Sequence, residues 1–174
     1  MPKTKKPKPS PAGTANAGAG IFTPVVQKLR TGKRPAGGSS NNPVQALDVG
    51  SYESLKKREK VGDNLEHDHI PSSAALKKAE EKRLGRKLTP QEARDLHQRG
   101  SAIEVPKDVH AKSDTYRGRN TPTQIGSDAA DLSAAAKRDY ATTRANLLAK
   151  GYSAKDVDAA LDALKAENRK KGIL

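Results

Sequence analysis

Apolar and polar residues alternate along this chain with two different spacings, and the changes between them mark out elements. Ala74, Leu76 and Ala79 recur at helical intervals between Ser73 and Leu84, and Gly85 follows as a C-cap, which predicts a helix over 73–84. Thr89-Pro90-Gln91-Glu92 has the form of a capping box with proline at the first helical position, and predicts a second helix running to about Arg99 and ending at Gly100. A short helix is predicted over Ser51–Lys60, and Gly62-Asp63-Asn64 is a turn signal. Leu65–Ile70 fits a short strand stopped by Pro71. Ile103–Val105 fits another, closed by Pro106, which can open a further helix carrying His110. Arg117-Gly118-Arg119-Asn120 reads as a basic turn.

Two longer helices follow. One is predicted from Asp128 to about Lys150, ending at Gly151. The other starts at the cap Ser153, with Asp156 three residues on, and runs to about Lys171. Val157, Leu161 and Leu164 repeat along it at helical spacing. The pair predicts an antiparallel helical hairpin, residues 126–174, packed on a core formed by residues 51–125. The fold class is therefore α+β, mostly helical with a small strand component.

Composition changes this picture at the N-terminus. Hydrophobic residues make up 33% of the 174 positions and aromatics 3%, so the core must be small and built from Leu, Ile, Val and Ala. Residues 1–50 are rich in Pro, Gly, Ser and Asn, and the segment reads as a disordered basic linker or tail, with Ile21–Leu29 as a short stretch able to dock. The net charge is +13, and eight basic residues precede Asp48, the first acidic one. Such a chain suits polyanionic partners, nucleic acid first. The absence of cysteine excludes disulfides and thiolate metal sites. No apolar run approaches a membrane span, and the basic N-terminus lacks the apolar stretch of a cleaved signal, so neither membrane insertion nor a signal peptide is expected.

The densest cluster of chemically capable residues is Glu66-His67-Asp68-His69. On a strand, His67 and His69 share one face and Glu66 and Asp68 the other; if that alternation relaxes at the strand's end, Asp68 and His69 converge on one site. The combination suits metal-assisted hydrolysis. A hard divalent cation takes carboxylate and imidazole ligands and stabilises charge developing on a phosphodiester. A histidine beside the ion can take a proton from the attacking water. Asp68 as ligand and His69 as base fill these roles, with His110 as the next ligand candidate. Asp114, four residues on, is a weaker candidate for a further ligand if it shares His110's helical face. Arg117 and Arg119 either clamp phosphate or lie on a solvated turn, and Tyr116 packs or stacks on a base. The cations of the predicted 73–84 helix and its flank, including Lys77, Lys78 and Lys82, are ordinary solvated surface or part of an electrostatic footprint. His97 reads as a solvated or capping histidine. A structural zinc site is the competing explanation of the cluster, although adjacent residues rarely all bind one ion.

Asp68-His69-Ile70-Pro71 resembles the first signature of the HNH/endonuclease VII superfamily, the ββα-metal nucleases. LEHDHIPSSAAL (65–76) and IEVPKDVHAKSDTYRGRN (103–120) resemble toxin nuclease domains of bacterial polymorphic toxins and type VI secretion effectors. The resemblance covers roughly residues 50–125. It implies a ββα-metal core with Asp68 and His110 as metal ligands and His69 as general base. Glu66 and His67 take supporting catalytic or ligand roles. The middle Asn of the standard motif has no certain match; Asn120 is the candidate substitute, and the helical stretch between His69 and His110 departs from the compact pattern. One divalent ion is implied, Mg²⁺ first, with Mn²⁺, Ni²⁺ or Zn²⁺ as alternatives. The implied activity is an endonuclease on DNA, or on RNA. The biology implied is a secreted effector acting in the cytoplasm of a competing bacterium, with a cognate immunity protein and a secretion-apparatus or carrier partner. The rival reading is a non-enzymatic basic nucleic-acid-binding or adaptor protein.

Overall fold

A computed structural model describes residues 42–174. The expectations for residues 1–41, including the Ile21–Leu29 stretch, lie outside the described residues. Within 42–50, ordered structure begins earlier than the sequence suggested. Val44 is buried, and β1 (Val49–Ser51) is already a strand.

The strands form an antiparallel sheet in the order β1-β3-β2, with β2 at Leu65–His69 and β3 at Ser101–Pro106. Central β3 is buried along its whole length, and it sets the register that matters later: His67 opposite Glu104, Asp68 opposite Ile103, His69 opposite Ala102. Ser51 caps the one-turn helix α1 (Tyr52–Lys56), accepting from the Ser54 amide. The turn before β2 follows its Gly-Asp-Asn signal, with positive φ at Gly62 and Asn64.

The insertion between β2 and β3 is a helical pair. α2 (Ser73–Leu84) starts under the cap Ser72 and ends at Gly85, whose φ of 66° is the left-handed conformation a C-cap needs. α3 (Pro90–Arg99) begins with the capping box of Thr89 and Glu92, both halves formed. β3 then leads through Pro106 into the single turn α4 (Lys107–His110). A 3-10 turn occupies Arg117–Arg119.

The chain then departs from the single helix expected from Asp128. Thr121 caps a short helix, α5 (Pro122–Asp128), with Pro122 in its first turn. Asp131 caps a separate helix, α6 (Leu132–Ala149), by accepting from the Ala134 amide. Thr121-Pro122 carried this start signal in the sequence. α7 (Ala154–Lys170) begins at the cap Ser153 as expected. Val157, Leu161 and Leu164 of α7 join Ile70, Ile103, Val105 and Leu76 in one buried cluster, so the hairpin and the sheet share a core. Asn168, fully buried on α7, donates from Nδ2 to the Ile70 carbonyl at 2.7 Å and ties α7 to the end of β2. Among the described residues, no helix is long and apolar enough to cross a membrane.

Candidate functional site

The period-two alternation of β2 holds through its last residue. Glu66 and Asp68 face α4, where both meet His110: Glu66 Oε2 lies 2.8 Å from Nδ1, and Asp68 Oδ1 lies 3.3 Å from Nε2. His67 and His69 face the opposite way, toward Tyr52 of α1. His69 stacks on the Tyr52 ring at 4.8 Å, and His67 meets the same ring edge-on at 5.1 Å. Convergence of Asp68 and His69 therefore needs no break in the alternation. A cleft of about 460 Å³ opens off the end of β2, and both residues border it, along with Glu66, His110, Arg117 and Asn120.

His69 is held from a third direction. Its Nε2 lies 3.1 Å from the carbonyl oxygen of His97, in the last turn of α3. A carbonyl only accepts, so Nε2 carries the proton and, in the neutral ring, Nδ1 keeps its lone pair. Burial pushes the His69 pKa down to about 4, against the carbonyl bond that favours the cation; the charges of His97, Lys77 and His67 add to the depression. The ring is thus neutral near pH 7, with one nitrogen anchored and the other bare.

His110 has the opposite electrostatics. Burial works against its cation, but hydrogen bonds and charge from Asp68 and then Glu66 outweigh burial and hold its pKa above the ordinary value. Glu66 engages Nδ1 and so turns Nε2 toward Asp68, the outer-carboxylate arrangement that orients a ligating imidazole. Carboxylate oxygens and one imidazole suit a hard divalent cation, so the donor set fits. Among the described residues, no group of three or more His, Asp or Glu side chains is arranged to hold a metal ion. A further carboxylate, Asp139 of α6, is buried behind this group. Burial raises its pKa to about 6 against the neighbouring Arg138, and the charges of Asp68 and Asp128 push the same way.

The other residues singled out from the sequence fall in different places. Arg117 lines the cleft, its guanidinium 4.9 Å from the centre of the Tyr116 ring, and its φ of 49° is a conformation non-glycine residues rarely hold. Tyr116 packs edge-on to His110 at 4.7 Å. Asn120 donates to Ser72 Oγ at 3.2 Å, tying the turn after Arg119 to the start of α2. Arg119 is exposed and does not border the cleft. Nor does Asp114: α4 stops at His110, so Asp114 lies in an exposed turn where helical spacing no longer applies. His67 is turned away from the cleft and hydrogen-bonds Glu104 across the strands; their side chains are 4% and 1% exposed.

Four contributors were not picked out as site residues. His97 is a half-buried packing residue rather than a solvated one, with its ring 4.2 Å from Tyr52 and 4.6 Å from His69, and its Nδ1 2.8 Å from Ser73 Oγ. Ser73 borders the cleft. Tyr52 supplies the stacking face for the His69 ring. Gly100 is the fourth: a Cβ there would lie 2.7 Å from His69 Cδ2. These contacts join residues far apart in the chain, so local pattern carried no signal for them, although a glycine between a helix and a strand marks a place where something approaches the backbone.

No protein-family model matches the chain, and no solved structure matches it. Over 131 residues, 75% of its length, the chain is 51% identical to part of the protein named deoxyribonuclease CdiA of Dickeya dadantii (strain 3937). It spans 4% of the length of that relative. The resemblance to a toxin nuclease domain read from 65–76 and 103–120 is thereby borne out: over three quarters of its length, this chain is a homologue of a segment of a protein named a deoxyribonuclease.

Proposed function

We propose that this chain is a metal-dependent endonuclease domain of the HNH, ββα-metal type that hydrolyses phosphodiester bonds in DNA. The observation that carries the reading is the state of His69: neutral, anchored at Nε2, bare at Nδ1, and beside Asp68 and His110 in one cleft. Asp68 and His110 would hold the divalent ion, Mg²⁺ by the hardness of the donors, with Glu66 orienting His110. When bound, the ion supplies charge that stabilises the phosphodiester oxygens in the transition state.

His69 takes the proton from the attacking water at Nδ1 as the water oxygen bonds to phosphorus and the leaving P–O bond breaks. The imidazolium so formed keeps its Nε2–H on the His97 carbonyl, at the negative end of α3, which offsets part of the cost of a buried cation. Arg117 on the cleft wall offers a planar fork for a phosphate oxygen. DNA as substrate follows the name of the relative. The resemblance also implies delivery as a toxin into competing cells and an immunity protein whose acidic surface meets the basic chain around the cleft.

Plasmid cleavage with Mg²⁺, with EDTA, and with His69→Ala tests the reading. Cleavage that needs both the ion and His69 is the expected result. Intact plasmid in every lane, with retarded mobility, would replace it with a nucleic-acid-binding protein that performs no chemistry.

A further inference from the structure

α2 carries four cations, and three have partners. Lys78 pairs with Glu81 at 3.7 Å, Lys82 donates to the Gly126 carbonyl at 3.1 Å, and Arg83 pairs with Glu80 at 2.6 Å. Lys77 has no hydrogen bond or ion pair among the described residues, although it is half-buried. The stem of Lys77 is partly covered, while its charge meets no carboxylate within the described fold. Its position is specific. Lys77 stands one turn beyond Ser73 on the same helical face, and Ser73 borders the cleft with its hydroxyl on His97. The charge of Lys77 reaches both His69 and His97, lowering the pKa of each.

Glu66 and Asp68 line the cleft with negative charge, and the cation bordering it, Arg117, belongs to the turn after α4. Arg117 borders the cleft on one side and Ser73 on another, and Lys77 stands one helical turn beyond Ser73, outside the lining itself.

We propose that Lys77 and Ser73 form a phosphate subsite for the nucleic-acid strand, gripping a backbone phosphate next to the scissile one on the α3 side of His69. The proposal rests on the nuclease reading and adds a specific contact to it. Lys77 supplies the point charge, and Ser73 donates its one O–H to phosphate in the His97 tautomer whose Nδ1–H donates to Ser73 Oγ. Neither touches the scissile bond, so the subsite acts on binding and register rather than on the chemical step.

The test compares Lys77→Met and Lys77→Arg in two settings. In the active protein, steady-state cleavage of a defined duplex is measured with Mg²⁺. In the His69→Ala background, duplex affinity is measured across a salt series with EDTA. The expected result is that Lys77→Met raises KM and Kd about tenfold, acts little on kcat, and lowers the slope of log Kd against log salt by about 0.9, one phosphate contact; Lys77→Arg restores most of the affinity. An unchanged KM and an unchanged salt slope for Lys77→Met, in a protein that cuts DNA, would overturn the subsite and leave the nuclease standing. A protein that binds duplex without cutting it overturns the nuclease reading, and its salt series still decides the subsite. A parent protein that neither cuts nor binds overturns both. Thermal melting distinguishes lost contact from lost fold, since a half-exposed lysine without an internal partner can be replaced with little change in Tm.

Discussion

Gly100 gives the place of its missing side chain to His69. A Cβ on residue 100 would lie 2.7 Å from Cδ2 of the imidazole and 3.1 Å from Nε2. The backbone at Gly100 has φ −55° and ψ 141°, which any residue adopts, so the constraint is the approach of the ring and not the dihedral. Gly100→Ala therefore forces His69 to move, or the α3–β3 junction to move with it. As the proposed base, a displaced His69 loses its alignment, and misplacement on the scale of an ångström costs on the order of a hundredfold in rate. The expected outcome is a fall in kcat of about that size with a stability loss of only about 1–3 kcal/mol, typical of overpacking. Wild-type kcat in a folded Gly100→Ala protein would show that the His69 position is not what limits the reaction.

Two buried groups give the metal-free protein opposing pH dependences in the same window. His69 has a folded pKa of about 4 against 6.5 for a free side chain. The unfolded chain binds more protons between these values, so the His69 contribution is full above 6.5 and is lost as pH falls toward 4. Asp139 runs the other way: its pKa rises from 3.8 to about 6, so its contribution is full below 3.8 and is lost as pH climbs through 6. Each shift is worth about 3 kcal/mol, so the two nearly cancel between pH 4 and 6. His97, shifted down from 6.5 by burial, adds a rise of its own, so each variant is read against the parent profile by denaturant unfolding in EDTA. Asp139→Asn should unmask a rise with pH, and His69→Ala a fall. Parallel profiles in all three proteins would mean that neither group titrates as its surroundings dictate.

The sequence made the local elements legible because their signals are short-range. The Thr89–Glu92 capping box, Gly85 and the Ser153 cap each fix an end through residues three or four apart, and each was read correctly. Asp68, His69 and His110 were legible as a group of residue types, and one cleft is bordered by all three. What the sequence did not show was how they meet. His110 reaches Glu66 and Asp68 across more than forty residues, and His69 finds its anchor in the backbone of His97, whose carbonyl is the same whatever side chain stands there. The stretch between His69 and His110, a departure from the compact pattern, turns out to supply that anchor through α3. The expected helix from Asp128 failed for a local reason: Asp131 caps α6, and Asp128 closes α5, where Arg138 grips it with two nitrogens at 2.6 and 3.0 Å.

Glu66 and Asp68 touch the same imidazole but should respond differently to substitution. Asp68 faces Nε2, the nitrogen turned toward the proposed ion position, whereas Glu66 holds Nδ1. Losing an outer carboxylate of this kind lowers metal affinity about 10–100-fold, because the ligand remains but is less basic and less well oriented. Asp68→Asn replaces a charged ligand outright. Titration calorimetry with Mn²⁺ should therefore show Glu66→Gln weakened within that range and Asp68→Asn below detection, and excess metal should rescue the first and not the second. A Glu66→Gln protein as defective as Asp68→Asn at saturating metal would make Glu66 a direct ligand.

His67 lies in the same four-residue cluster, yet its chemistry belongs to the fold. It pairs with Glu104 on the sheet face opposite Asp68, and Glu104 is 1% exposed on the central strand. Removing one partner leaves a buried charge without compensation, at a cost of about 3–5 kcal/mol, whereas replacing both with apolar side chains of similar size is often neutral or stabilising. His67→Leu alone should therefore lower Tm sharply, and Glu104→Leu added to it should recover much of the loss. Cleavage separates this role from catalysis. The double variant, measured where it is folded, should keep kcat near that of the parent because the pair faces Tyr52 and β3 rather than the cleft. A folded, stable double variant that has lost cleavage would return His67 to the catalytic group, acting through the Tyr52 ring it shares with His69.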